Sequence, residues 1–111
     1  MAKLENYKNA FISIEKLTGY CLNDLHPTGK QKAFVFKSIL GISEKDAGIL
    51  SEAIKIGLIE NESFEREIDL YGRRFSVRMK ISIFDSEAFV TTGWIIKRGE
   101  DFPRLTSCYI K

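Results

Sequence analysis

The sequence has few residues that interrupt secondary structure, form disulfide bonds or bind metal ions. It contains two prolines, two cysteines and one histidine among 111 residues. Cys21 and Cys108 stand far apart, and neither has a second cysteine or histidine at the spacing of metal ligands. Four nitrogen or sulfur ligands for zinc cannot be assembled from this set. We therefore expect two buried thiols, no metal site and no cofactor.

Long apolar runs are also missing. The runs Ala33–Phe36 and Trp94–Ile96 both end at a lysine, far short of the roughly 20 residues that span a bilayer. The first six residues lack the apolar core of a signal peptide. The sequence therefore predicts a cytoplasmic protein with no membrane partner.

A strong charge of either sign is absent as well. The formal net charge is +2, from 17 basic and 15 acidic residues, so the total charge alone does not indicate a nucleic-acid partner. We find no internal repeat, low-complexity tract or linker in the sequence. One domain over residues 1–111 is expected, with a helical half over 1–62 and a sheet half over 63–111.

Helical periodicity occupies the first half, and each of the three expected helices has a start or stop signal. The first runs from Ser13 to Leu22 with the serine as its cap. The second runs from about Lys30 to Leu40, and Gly41 follows at the left-handed C′ position. The third opens at the cap residue Ser43. Its expected buried stripe is Ala47, Leu50, Ala53, Ile54 and Leu58.

The period changes to two after residue 63. A first strand is expected over Phe64–Leu70, followed by a hairpin turn at Tyr71–Arg73. The second strand should point Phe75, Val77, Met79, Ile81 and Ile83 toward the core. A third strand is expected from about Ala88 to Lys97 and a fourth from about Arg104 to Ile110. This order predicts an α+β fold, with three helices on one face of a four-stranded antiparallel sheet.

A basic stripe lies on the opposite, solvent side of the second strand. Arg74, Arg78 and Lys80 alternate with the apolar residues, and Arg73 stands at the start of the stripe. Neighbouring strands can add Thr92 or Trp94, and Arg104 or Thr106. Such a face offers the charges that bind phosphates and a ring that stacks on bases. The alternative is a solvated face whose cations pair with Glu65, Glu67 and Asp69 of the first strand.

The only histidine, His26, lies in a polar turn before the second helix. Pro27 stiffens the turn, and an imidazole that titrates near neutrality is the usual proton-transfer group. Lys30 and Lys32 follow it and could stabilise a phosphorane. The alternative is a loop histidine that caps the turn.

The fourth strand should begin just after a rigid corner. Arg104 follows Phe102-Pro103, and its planar fork suits a phosphate. The alternative is a surface arginine at a strand start. Acidic residues are scattered along the sequence, which favours chemistry without a metal ion.

Several segments together resemble an uncharacterised bacterial domain family. They are Glu15-Lys16-Leu17, Tyr20-Cys21-Leu22-Asn23, His26-Pro27-x-Gly29-Lys30-x-Lys32-Ala33, Tyr71-Gly72, Trp94-Ile95-Ile96 and Pro103-Arg104-Leu105-Thr106. Members of that family look like free-standing small proteins or C-terminal modules of polymorphic toxins. Their layout is similar to the barnase–EndoU–colicin–RelE group of toxin ribonucleases. The resemblance implies no catalytic residue by position.

The first hypothesis is a metal-independent toxin ribonuclease that cleaves tRNA or mRNA and has a cognate antitoxin or immunity protein. His26 would transfer protons, and Thr106 would position the scissile group. The phosphate charge would be met by Lys30, Arg78 and Arg104. RNA would also contact Lys32, Arg73, Arg74, Lys80 and, if its ring faces the site, Trp94. The alternatives are a non-catalytic immunity or antitoxin protein that uses the open sheet face, and an RNA-binding module without catalysis.

Overall fold

The computed structural model describes residues 2–110, and its first half is helical. Helix α1 (Ile14–Lys16) continues into a π-helical turn, Leu17–Cys21. Helix α2 spans Lys30–Leu40, and α3 spans Ala47–Glu60 after a 3-10 turn at Glu44–Asp46. The three predicted helices are confirmed.

The helix ends show which terminal signals act as expected. Gly41 adopts the left-handed conformation, with φ of 70°, directly after α2. Ahead of α3, the carboxylate of Asp46 accepts a hydrogen bond from the backbone N–H of Ser43 at 3.0 Å. Ser13 is the N-cap residue of α1, as predicted, but its hydroxyl donates to Glu15 at 3.1 Å and makes no capping hydrogen bond to the helix backbone.

The second half is an antiparallel meander of four strands in the order β1-β2-β3-β4. The strands are β1 (Ser63–Ile68), β2 (Gly72–Ile83), β3 (Ser86–Lys97) and β4 (Arg104–Ile110). The predicted α+β architecture is confirmed. On the free edge of β4, the backbone of Phe11 bonds to Pro103 and Leu105, which ties the N-terminal segment to the sheet.

One face of the sheet is covered by the helices. The predicted inward residues of β2, from Phe75 to Ile83, are buried against them, with exposed fractions of 0–6%. Phe36 and Leu40 of α2, and Leu50 and Ile54 of α3, close the same core. Among residues 2–110, helices α2 and α3 both pack on this face, and the opposite face is called the open face below.

Strand β1 ends at Ile68 and not at the expected Leu70. It is exposed along nearly its whole length, and its pairing with β2 is irregular between Glu65 and Ile68. Helix α3 packs mainly on β2, and β1 lies at the outer edge of the sheet. No helix within residues 2–110 has the length and hydropathy needed to cross a bilayer.

Candidate nucleic-acid interface

The open face is ordered in three rows that run across the strands. Directly paired residues of neighbouring antiparallel strands share one face, so the register defines each row. The first row is Arg78, Thr91 and Tyr109; the second is Phe64, Ser76, Gly93 and Ser107; the third is Arg74, Ile95 and Arg104.

The middle of the open face is a hollow lined with hydroxyl groups. Gly93 has no side chain there, and a Cβ at this position would lie 2.9 Å from the Thr106 hydroxyl. Because the β3–β4 pairing is irregular at Gly93/Trp94, the side chains of Thr106 and Ser107 both lie near Gly93 and do not alternate between the two faces. The hollow has a volume of about 210 Å³. We call Ser76, Thr91, Thr106, Ser107 and Tyr109 around Gly93 the hydroxyl floor.

Arginines stacked on phenylalanines surround this floor. Each guanidinium lies over a ring that is itself at least partly exposed, which holds the cation at the surface in a fixed place. The stacks are Arg78 on Phe89 at 4.0 Å, Arg66 on Phe64 at 5.8 Å, and Arg104 on Phe102 at 4.8 Å and Phe11 at 5.2 Å.

Acidic side chains offset part of this charge. Arg74 pairs with Asp69 at 2.6 Å. Arg104 donates two hydrogen bonds, of 2.9 and 2.8 Å, to the carboxylate of Glu100. The hydrogen bonds from Arg74 and Arg104 lower the pKa values of Asp69 and Glu100, respectively. The Arg74 pair follows the solvated-face alternative, whereas the partner of Lys80 is Glu87 on β3, at 3.5 Å.

A second polar group sits at the β4 edge of the open face. The Lys32 ammonium donates to the Tyr20 hydroxyl at 2.9 Å and lies 5.0 Å and 5.9 Å from the ring centroids of Tyr20 and Tyr109. The hydrogen bond to Tyr20 raises the pKa of Lys32, so its charge persists. We call these three residues the edge cluster. Tyr109 belongs to both the edge cluster and the first row. It therefore lies between Arg78 and Lys32, which were both predicted to contact RNA.

His26 is engaged by its own turn. Its Nδ1 accepts hydrogen bonds from the backbone N–H groups of Thr28 at 3.0 Å and Gly29 at 2.9 Å. The ring stands edge-on to Tyr20, with centroids 4.9 Å apart. This geometry assigns the proton of the neutral ring to Nε2 and fits the turn-capping alternative. Lys30 is exposed at the first position of α2.

Two predicted contact residues are not on the open face. Arg73 precedes Arg74 by one position, so it points to the opposite side of the strand, where it pairs with Glu5 at 2.7 Å. Trp94 pairs with Phe75, is 1% exposed and donates its indole N–H to Thr92 at 2.8 Å. The predicted base-stacking role of Trp94 is therefore wrong, because its ring is enclosed in the core.

Sequence reasoning missed much of the hydroxyl floor. Ser76, Thr91, Ser107 and Tyr109 share the side of the sheet that bears the basic stripe. Strand parity places Ser76 on the side of Arg78, but only the structure shows that it lines the hollow. The others depend on the register of β3 and β4, which the sequence does not specify.

The two cysteines meet beneath the edge cluster. Both are fully buried, and they join the π-helical turn to β4. A hydrogen bond from the Cys108 thiol lowers the pKa of Cys21 to about 7 against the effect of burial, and Lys32 and Lys16 act in the same direction. The same hydrogen bond, together with burial, raises the pKa of Cys108. Within residues 2–110, no three His, Cys, Asp or Glu side chains are grouped to hold a metal ion.

A family model matches residues 3–111 of the chain, and its description is "Domain of unknown function (DUF6883)". The chain belongs to this family. Comparison with curated proteins and with solved structures gives no match. The family description names no activity.

Proposed function

We propose that this protein binds single-stranded RNA across its open face and cleaves it as a metal-independent ribonuclease of the toxin type. The observation that carries the proposal is the hydroxyl floor ringed by arginine–phenylalanine stacks. Cations supply the affinity for backbone phosphates, and exposed rings supply stacking for unpaired bases. The helix-before-sheet layout, similar to that of the toxin ribonuclease group, adds support as an analogy of fold.

The three rows match an extended strand better than a compact ligand. Row one and row three are four residues apart along β2 and β3, which corresponds to about 13 Å at roughly 3.3 Å per residue. Arg78 stands in the first row, and Arg104 stands in the third. A nucleic-acid strand that crosses the floor would meet a cation at each end and hydroxyl groups between them.

Cleavage is assigned to the edge cluster. In this reaction the ribose 2′-hydroxyl gives its proton to solvent water and its oxygen attacks the adjacent phosphorus. The bond to the 5′-oxygen breaks, and that oxygen takes up a proton. Lys32 would stabilise the charge on the phosphorane. Because Tyr20 accepts a hydrogen bond from Lys32, its own hydroxyl proton is directed elsewhere and is available to the leaving oxygen.

The role of His26 as a proton acceptor demands a rearranged turn. To take the 2′-hydroxyl proton at Nε2, the ring would have to move its own proton to Nδ1. That shift breaks the hydrogen bonds from Thr28 and Gly29. In the observed turn, His26 can instead donate from Nε2 to a phosphate oxygen.

Binding and cleavage are tested separately. A 2′-O-methyl RNA oligonucleotide, which lacks the attacking hydroxyl, measures binding alone. Unmodified total RNA and tRNA in EDTA measure cleavage. We expect the wild type to bind and cleave, whereas Lys32→Met and Tyr20→Phe bind the methylated probe but cleave at least about a hundredfold more slowly. The control Lys55→Met, on α3, should do both like the wild type. RNA left intact by the wild type would overturn the ribonuclease assignment.

A second candidate is a non-catalytic immunity or antitoxin protein that uses the same face. The pairing of Arg74, Lys80 and Arg104 with acidic residues favours it, since a face of mixed charge also suits a protein partner. Expression alone in a bacterium separates the two. The ribonuclease toxin should arrest growth unless a cognate antitoxin or immunity protein is present, whereas an immunity protein should be harmless.

A further inference from the structure

The two cysteines come from opposite halves of the sequence and meet in one place. Cys21 ends the π-helical turn, and Cys108 lies in β4, which packs on that turn. Their neighbours Tyr20 and Tyr109 flank the same ammonium group, that of Lys32, with ring centroids 5.0 Å and 5.9 Å away. The two thiols share a hydrogen bond, and both are 0% exposed. Contacts of the neighbouring residues therefore hold the cysteines side by side.

The π-helical turn is the part of this arrangement that can open. Its backbone hydrogen bond, from the N–H of Leu22 to the carbonyl of Leu17 at 2.8 Å, spans five residues where an α-helix spans four. Such turns are rare and occur mostly at functional sites. Helix α1 before it has only three residues, so few helical hydrogen bonds hold the turn. Segments of this kind open locally at a lower cost than the core, which gives a water-sized oxidant access to Cys21.

We propose that Cys21 and Cys108 form a reversible disulfide bond when the chain meets a peroxide, and that this bond fastens the π-helical turn to β4. Cys21 is the attacking thiol, because its hydrogen bond with Cys108 and the charges of Lys32 and Lys16 lower its pKa and favour the thiolate. Cys108, whose pKa is raised, stays protonated and reacts second. The disulfide forms whether or not the chain binds RNA.

The reaction balances with hydrogen peroxide as the oxidant. The Cys21 thiolate attacks one peroxide oxygen, the O–O bond breaks, and the hydroxide that leaves takes up the proton that Cys21 had released. Cys21 is then a sulfenic acid. The sulfur of Cys108 attacks the Cys21 sulfur, and the hydroxyl group leaves with the Cys108 proton as a second water. Two thiols have then given two electrons to one peroxide.

The product is identified by its mass, since the sequence has no other cysteine. After treatment of the full chain with hydrogen peroxide, we expect a monomer that is lighter by two hydrogens, has no free thiol and regains its starting mass in dithiothreitol. Cys108→Ala should stop at the sulfenic acid, which dimedone traps, and Cys21→Ala should give neither product. Circular dichroism confirms that both variants are folded. A wild-type chain that keeps both thiols, or that couples to a second chain, overturns the proposal.

The pH dependence of the reaction identifies the attacking thiol. Because the pKa of Cys21 is about 7, oxidation should become about tenfold faster between about pH 6 and about pH 8 and then level off. A thiol with the ordinary pKa of 9.0 would react about a hundredfold faster over the same range and still be rising at its upper end. That second result would overturn the assignment of Cys21 as the attacking thiol.

Amide hydrogen exchange measures how the bond fastens the turn. The Leu22 amide should exchange at least about tenfold more slowly in the oxidised chain, because opening of the turn is then opposed by a covalent link. The Gly41 amide, which donates to the carbonyl of Lys37 at 3.0 Å at the end of α2, is the matched control and should not change. Equal exchange of Leu22 in the oxidised and reduced chains, or equal slowing at Gly41, overturns this part of the proposal.

Discussion

Gly72 begins β2 with a backbone conformation that a residue with a Cβ does not tolerate there. Its φ is 152°, and a Cβ would collide with the carbonyl oxygen of Ile96 on the neighbouring strand. We expect Gly72→Ala to lower the free energy of unfolding by about 3 kcal/mol, from backbone strain together with displacement of β3. Urea unfolding followed by circular dichroism measures it.

Gly48 is the matched control for that substitution. It lies in the first turn of α3, and a Cβ there would meet nothing within 4 Å. Alanine lowers the entropy of the unfolded chain and favours the helix, so Gly48→Ala should raise the free energy of unfolding by about 0.5–1 kcal/mol. Similar destabilisation by both changes would contradict the contact inferred at Gly72.

The two roles weighed for His26 have different requirements. Capping the turn requires an acceptor at the position of Nδ1, which an asparagine oxygen also supplies, whereas proton transfer requires the imidazole. We expect His26→Ala to lose about 1 kcal/mol of stability and His26→Asn to lose much less. Thermal unfolding checks this. If His26→Asn remains stable but no longer cleaves RNA, the predicted catalytic role is supported; if it cleaves normally, that role is wrong.

At the level of single residues, the sequence predicted positions that depend on local pattern. The basic stripe at Arg74, Arg78 and Lys80 does lie on the open face. Trp94 was ambiguous because the register of β3 against β2 determines its side, and only the pairing with Phe75 reveals it. The stacking of Arg78 on Phe89 joins two strands and has no signature in either one.

Helices and strands were predictable in proportion to how local their signals are. Helix α2 has its predicted bounds, since a stiff turn precedes it and Gly41 ends it. The exposure of β1 was not predictable, because it depends on which strand lies at the sheet edge and on where the helices pack. The irregularity that brings Thr106 and Ser107 to the same hollow could not be predicted either, because it arises from the pairing of β3 with β4 and has no signal in the sequence of one strand.

The cysteine pair links two elements and gives the fold a pH dependence. The pKa of Cys21 is lowered to about 7 in the folded chain, below its ordinary value of 9.0, so we expect the unfolded chain to hold this proton to a higher pH. The unfolded state therefore binds more protons in this window, and the free energy of unfolding rises with pH between about 7 and 9. The pKa of Cys108 is raised in the folded chain. Its ionisation therefore lowers the free energy of unfolding only above pH 9.0, the ordinary pKa of a cysteine.

Comparison with Cys21→Ala under reducing conditions isolates this effect. The variant should be less stable throughout, owing to the cavity, and should lack the rise in stability with pH. Urea unfolding at a series of pH values measures both. An equal slope in the variant and the wild type would contradict the assigned ionisation of Cys21.

The two faces of the sheet differ in their composition across the whole molecule. The covered face holds the core, and the open face holds cations that are partly offset by Asp69, Glu87 and Glu100. Removing an offsetting charge should strengthen RNA binding. We expect Glu100→Gln to bind the methylated RNA probe about threefold to tenfold more tightly, because Arg104 becomes available to phosphate. Fluorescence anisotropy measures it; Glu52→Gln, on α3, is the control and should not change affinity.

The salt dependence of RNA binding tests most directly whether RNA lies on the open face. Anisotropy of the methylated probe across a salt series gives the slope of log affinity against log salt. Replacing Arg66, Arg78 and Arg104 by glutamine should reduce that slope by about 2, at roughly 0.7 per phosphate contact, and weaken binding at every salt concentration. Replacing Lys37, Lys45 and Lys55 on the helices makes the same change in net charge and should leave the slope nearly intact. Equal loss in both triple variants, or an unchanged slope in the first, would contradict the account.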